Sequence, residues 1–164
     1  MSRLDSFINR LSAQRDLLNH IRYENMLPDQ GAILELGLGN GRTFNHLREL
    51  FADRRIVVFD RAVAAHKSSI PDQKDIVLGE ISTTAAGFTG QNAAMVHADI
   101  GTGYDDVDAK TLVWLPNMTV DLLGPGGIAA SGLPLDHPQL DPLPLPPGIA
   151  VDRYFLYRRK TEIA

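Results

Sequence analysis

The chain contains no cysteine, which excludes disulfides, thiolate metal sites and a cysteine nucleophile, and fits a reducing compartment. A dense basic run is also missing. Sixteen Lys and Arg stand against 20 Asp and Glu, a formal net charge of −4, so a nucleic-acid backbone has no broad surface to land on. The nearest approach is Arg158-Arg159-Lys160, at the end of an expected edge strand, where cations block pairing with other chains. No segment has the length of a membrane span and the N-terminus lacks the apolar core of a secretory signal. The expected protein is therefore soluble and cytoplasmic, with no membrane and no nucleic acid as partner. At 164 residues one domain is expected, large enough to bury roughly two-thirds of its unfolded surface and too short for an added substrate domain.

What is present is organised around Ala32 to Asp60, AILELGLGNGRTFNHLRELFADRRIVVFD. It reads as a strand too continuously apolar to be half-exposed, a glycine loop, a helix with Phe44, Leu47, Leu50 and Phe51 on one face, and a second strand, Ile56 to Phe59, ending on Asp60. Glycines at 37, 39 and 41 let the backbone turn sharply and leave no side chain between main-chain N–H groups and a ligand at the helix N-terminus. Asp60 is placed to hold the two hydroxyls of a ribose. A dinucleotide fingerprint, G-x-G-x-x-G, would need a third glycine where the chain has Arg42, which counts against a nicotinamide cofactor.

The pattern Glu35-x-Gly37-x-Gly39-x-Gly41, with Asp60 nineteen positions beyond Gly41, resembles motif I and the acidic second-strand end of class I S-adenosylmethionine-dependent methyltransferases. Two further places add to the resemblance. Gly79-Glu80-Ile81 is similar to the third-strand end where, in that family, an acid meets the exocyclic amine of adenine beside an apolar neighbour. The run Leu122-Leu123-Gly124-Pro125-Gly126-Gly127 before Ile128 to Ser131 looks like the family's passage into its fifth strand. The resemblance covers roughly residues 30 to 131. It implies S-adenosylmethionine as cofactor, bound by Glu35, Gly37, Leu38, Gly39, Asn40, Gly41, Asp60, Arg61, Glu80, Ile81 and Asp99. For Glu80 a solvated acid opening the next helix is an equal reading.

In chain order, residues 2 to 24 place Leu4, Phe7, Ile8, Leu11, Leu18 and Ile21 at helical spacing with Ser2 as N-cap. This helix covers the edge of the core, or in addition lids the cofactor cleft or pairs with a second copy. After Asp60, residues 62 to 69 read as a short helix stopped by Pro71, and Asp75 to Leu78 as the third strand. Residues 82 to 93 are weakly helical. Ala94 to Ala98 is the fourth strand, ending on Asp99 near the reaction centre, where ligands gather at the carboxyl ends of parallel strands. His97 is read as a hydrogen-bonded core residue before a base. Residues 107 to 123 form a helix, kinked or split at Pro116, that ends on a glycine C-cap in the Gly124-Pro125-Gly126-Gly127 run. Six prolines between Leu133 and Gly148 suit a lid or surface connector, and Asp152 to Lys160 reads as an antiparallel edge strand.

The expected fold is α/β, a three-layer sandwich with a mostly parallel six- or seven-stranded sheet, an antiparallel strand at its C-terminal edge and an extra N-terminal helix. Residues 1–164 make a single methyltransferase-like domain: a helical cap over 1–27, a cofactor-binding core over 31–131, a proline-rich loop over 133–148 and an edge strand over 151–160. The implied activity is methyl transfer to an O or N atom of a small-molecule acceptor, by a chain that is a monomer or a homo-oligomer. The alternatives are a non-catalytic nucleoside-binding or oligomerising module of the same fold and, behind it, an NAD-dependent enzyme. No universal catalytic residue carries over by resemblance. Asp99, His97, Tyr104, His20 and Tyr23 are the candidate bases. No metal is the favoured reading; a Mg2+ site from Asp99 with Asp105 or Asp106 is its alternative, against a plain charge cluster of Asp105, Asp106 and Asp108 at a helix start.

Overall fold

In the computed structural model, which describes residues 1–161, β1 (Ile33–Leu36) has every side chain buried. It is flanked by parallel partners on both sides: β2 (Ile56–Asp60) and β4 (Ala93–Ala98). Two further parallel strands, β3 (Ile76–Leu78) on β2 and β5 (Leu123–Ser131) on β4, extend the sheet. The antiparallel pair β7 (Phe155–Arg159) and β6 (Leu140–Pro142) completes the order β3-β2-β1-β4-β5-β7-β6, seven strands. The order reverses between β1 and β4, which opens a crevice at their carboxyl ends.

Both faces of the sheet are covered, which is why its central strands are apolar without alternation. On one face Ile33, Val58, Met95 and Ile128 pack with Leu17, Leu18 and Ile21 of α1 (Arg3–Tyr23) and with Phe44 and Leu47 of α2 (Arg42–Leu50). On the other, Leu34, Val57, Val96 and Ala129 pack with Ala85, just after the short α3 (Ile81–Thr84), and with Leu115, Val120 and Leu122 of α5 (Leu115–Leu122). α4 (Asp105–Leu112) precedes α5 and buries no residue fully.

Local chemistry explains where elements begin and end. Ser2 Oγ accepts from the Asp5 N–H at 3.0 Å while the Asp5 carboxylate accepts from the Ser2 N–H at 2.9 Å, a capping box that starts α1. The buried side of α1 lies further along than its spacing suggests: Leu17, Leu18 and Ile21 are inside, whereas Leu4, Phe7 and Ile8 are exposed. The expected helix over 62 to 69 is replaced by a single 3-10 turn, Lys67–Ser69. There the His66 ring accepts from the Ser68 N–H, a local bond that competes with helix formation. α4 and α5 are separate helices, and Pro116 sits in the first turn of α5, where a missing N–H leaves nothing unpaired.

The expected glycine C-cap after α5 is absent. Leu123 is already extended and opens β5, while Gly126, at φ +75°, lies in the irregularity where the β4–β5 register shifts between Ala93 and Met95. The proline-rich segment is more than a loop, because its Leu140–Pro142 forms the outermost strand, where a residue without an N–H is tolerated. β7 therefore lies inside this edge and is paired on both sides. Its cations are staples and not edge guards: Arg158 donates to the Met26 and Gly126 carbonyls at 3.2 and 3.0 Å, and Arg159 donates to that of Leu123.

Candidate active site

The glycine loop leaves β1 at Gly37, whose N–H donates to the Phe59 carbonyl at 2.8 Å. All three glycines have positive φ, but they face different surroundings. A Cβ on Gly41 would lie 2.7 Å from Ser69 Cβ and one on Gly37 2.7 Å from the Ile100 side chain, so these two permit close packing of the chain on itself. Only Gly39 of the three has open space before it.

Asp60, at the end of β2, turns its carboxylate onto this loop. Oδ2 accepts from the Leu38 and Gly39 N–H groups at 2.8 and 3.1 Å, and Oδ1 from the Arg61 N–H at 2.6 Å. Burial acts to raise its pKa, but the N–H groups of Gly39, Leu38, Arg61 and Ala62 together outweigh it and hold the carboxyl below the usual aspartate range.

Glu35 does not reach the crevice. It is fully buried under the loop, its Oε1 accepting from Thr43 Oγ1 at 2.8 Å and its Oε2 bonded to His97 Nδ1 at 2.9 Å. This corrects its expected role as a direct cofactor ligand. His97 is a core residue, as its place inside a strand favours: it is fully buried, and its Nε2 meets the Tyr154 hydroxyl at 2.6 Å. Burial presses the imidazole toward its neutral form, yet the charge and hydrogen bond of Glu35, with the charge of Asp99, prevail and raise its pKa.

Two compartments open at the carboxyl ends of the strands. The larger, about 500 Å3, is lined by Asp60, Arg61, Glu80 and Ile81 on one side and by Ile100, Lys110 and Trp114 on another. The smaller, about 150 Å3, is formed by Gly37 to Thr43 together with Arg10, Leu11 and Gln14 of α1. Gly37, Gly39 and Asp99 belong to both. Asp99 Oδ2 accepts from the Gln14 amide and lies 3.5 Å from the Arg10 guanidinium. A side chain at position 132 would fall 2.8 Å from Asp99 Oδ1, so Gly132 keeps that side clear.

Of the candidate bases, Asp99 alone lines the cleft. Tyr104 is exposed at the N-cap of α4, outside it. His20 and Tyr23 lie in the last turns of α1, where Tyr23 is exposed; Tyr23 is nine residues beyond Gln14, about 14 Å along the axis. Asp105 and Asp106 are exposed in the first turn of α4, whereas Asp108 turns back to accept from the Thr102 and Gly103 N–H groups at 2.7 and 3.1 Å. Among the described residues no three His, Asp or Glu side chains converge as a metal-binding group. Arg10, Gln14, Ile100 and Trp114 went unread as site residues. A signal for Gln14 was available: it is the polar residue in the register of Leu11, Leu18 and Ile21, and it is buried.

Residues 1–159 match the model of a family described as S-adenosyl-L-methionine methyltransferase. A crystal structure of an S-adenosyl-L-methionine methyl transferase from Silicibacter pomeroyi is 40% identical, with 97% of this chain and 99% of that one covered and a TM-score of 0.87. A methyltransferase of Podospora anserina, PaMTH1, solved with SAH, shares the fold at 17% identity and a TM-score of 0.57, covering 98% of this chain and 80% of that one. Human N-acetylserotonin methyltransferase, solved with SAM, does so at 15% identity and a TM-score of 0.57, over 90% of this chain and 52% of that one. No curated protein matches the chain. Strand order, the glycine loop at the crevice and a family match over nearly the whole chain agree, and the chain belongs to the S-adenosyl-L-methionine methyltransferase family.

Proposed function

We propose that this methyltransferase acts on a hydroxyl or amine of a small molecule, with the acceptor approaching Asp99. The observation that carries this reading is the divided cleft, whose two compartments meet at Gly37, Gly39 and Asp99. A ligand with an adenosyl part and an amino-acid part joined at a sulfonium matches that division. The donor set fits as well. Arg10 Nε is buried without a partner beside the smaller compartment, as suits a carboxylate ligand. The open side of Gly39 leaves room for a ligand against the loop.

In this reading Gly37 to Gly41, Arg10 and Gln14 hold the methionyl part, and Asp60 and Arg61 the ribose. Glu80 and Ile81 hold the adenine, with Ile100 and Trp114 on its ring. The Asp60 carboxylate already accepts from the Leu38, Gly39 and Arg61 N–H groups, so a ribose hydroxyl would share its oxygens with them. The cofactor, when bound, supplies an electrophilic methyl group that needs no acid to activate it. The chain contributes orientation, exclusion of water and a carboxylate, Asp99, able to take the proton an O–H or N–H acceptor gives up. A net charge of −4 with no basic surface run favours small acceptors over nucleic acid.

Calorimetry with S-adenosylmethionine and S-adenosylhomocysteine should show binding that Asp60→Ala weakens. Radiolabelled methyl transfer to a panel of small phenols, alcohols and amines should show turnover that Asp99→Ala lowers about 10²-fold or more. Turnover on RNA or protein alone, with none on the panel, would refute the small-molecule reading.

A further inference from the structure

A row of polar side chains runs beneath the cleft from β1 to Asp99. Thr43 Oγ1 donates to Glu35, Glu35 holds His97 Nδ1 at 2.9 Å, and His97 Nε2 meets the Tyr154 hydroxyl at 2.6 Å. Gln14 lies beside that hydroxyl and donates to Asp99. Glu35 and His97 are 0% exposed, Tyr154 1% and Gln14 3%. Burying so many polar groups stabilises a sheet no better than apolar packing would, and each member must keep its partner. As scaffolding the row is costly, and its far end is the one candidate base that lines the cleft.

The hydrogen-bond inventory leaves little freedom. With Glu35 as a carboxylate, which only accepts, His97 Nδ1 carries a proton in either charge state of the ring. Neutral His97 accepts at Nε2 from the Tyr154 O–H; protonated His97 donates to it. Both arrangements keep the same heavy atoms in place, and both hold the Tyr154 oxygen beside Gln14.

We propose that His97 and Tyr154 are positioning residues that, through Gln14, hold the Asp99 carboxylate toward the positively charged end of the cofactor, so that the site distinguishes S-adenosylmethionine from its neutral product S-adenosylhomocysteine. This rests on the placement of Asp99 at the reacting end under the proposed function. Arg10, on the same face of α1, opposes the effect by lying 3.5 Å from the same carboxylate oxygen. A carboxylate held in one orientation by a buried row discriminates charge better than one free to turn to solvent, because no reorganisation follows binding.

The test is calorimetry of the full chain with each of the two ligands, read as the ratio of their affinities. Asp99→Asn and Tyr154→Phe should each narrow the ratio about tenfold, chiefly by weakening S-adenosylmethionine, and the double variant should narrow it no further than either alone. His97→Gln, whose amide can donate to Glu35 and accept from Tyr154, should keep the ratio, while His97→Leu should narrow it. If His97→Leu does not fold, Tyr154→Phe, which loses one hydroxyl, decides alone. Equal weakening of both ligands by Tyr154→Phe, or an unchanged ratio while Asp99→Asn narrows it, overturns the positioning role. An unchanged ratio in Asp99→Asn overturns it together with the placement of Asp99.

Discussion

Two buried or braced acid–base groups give the protein opposite responses to pH. Asp60 has a depressed pKa in the folded chain, so its stabilising effect is present above the ordinary aspartate value of 3.8 and is lost as pH falls through the folded value. His97 has a raised pKa, so its contribution is complete below the ordinary histidine value of 6.5 and is lost as pH rises through its folded value. Melting temperatures should therefore show the gap between wild type and Asp60→Asn closing below pH 3.8, and that between wild type and His97→Gln closing on the alkaline side of pH 6.5. A gap independent of pH for either variant would mean that the group does not titrate with folding. The place of Asp60, a carboxylate ending the strand beside the glycine loop, was legible in the sequence because it follows from strand end and spacing. Its three backbone bonds were not, because they depend on the path of the glycine loop. Glu35 was misplaced for a related reason: strand alternation does not say which carboxylate meets a histidine 62 residues later.

At the scale of elements, the glycine loop separates binding from folding. Gly39→Ala keeps a left-handed residue at φ +50° with no neighbour within 4 Å, at a cost of about 1 kcal/mol, yet it fills space beside the cleft. Gly41→Ala must displace Ser69 and Ala65 as well as strain its backbone. Urea unfolding paired with calorimetry should show Gly39→Ala folded but impaired in cofactor binding, and Gly41→Ala losing several times more stability. Equal losses of stability would sink this division of labour. The β1–α2–β2 unit could be read from sequence because strand, glycine loop and helix are adjacent in the chain and their periodicities are strong. The segment 62 to 69 could not, because the His66 ring bonds the Ser68 N–H and hydroxyl in competition with the helix. Likewise a three-residue strand amid prolines carries no pattern of its own.

For the whole molecule, α1 is the element that both covers the core and lines the cleft. Leu17 is 0% exposed between α1 and the sheet, so Leu17→Ala should cost about 2–5 kcal/mol, measurable as a shifted denaturant midpoint with unchanged slope. A cost under about 0.5 kcal/mol would mean that α1 docks weakly. The strand, glycine loop, helix and strand unit and the continuously apolar central strands announced the α/β class, and the mostly parallel sheet of seven strands agrees with it. The two-sided pairing of β7 was hidden because edge and interior strands read alike when a partner strand lacks signal. How α1 docks was half visible: its amphipathic face was plain, but its buried portion is displaced toward its C-terminal half, with Leu4, Phe7 and Ile8 outside.

The Gln14–Asp99 bond spans 85 residues of sequence, and this sets an order of assembly. During synthesis the helix emerges first and can pack on Phe44 and Leu47 of α2 early, but its bond to the end of the fourth strand closes only when more than half of the chain is made. Nascent chains ending before Asp99 would carry the complete glycine loop without this closure. A chain that folds its sheet but leaves α1 undocked would, for the same reason, keep the Asp60 and Glu80 side of the cleft while losing Arg10 and Gln14 from the smaller compartment.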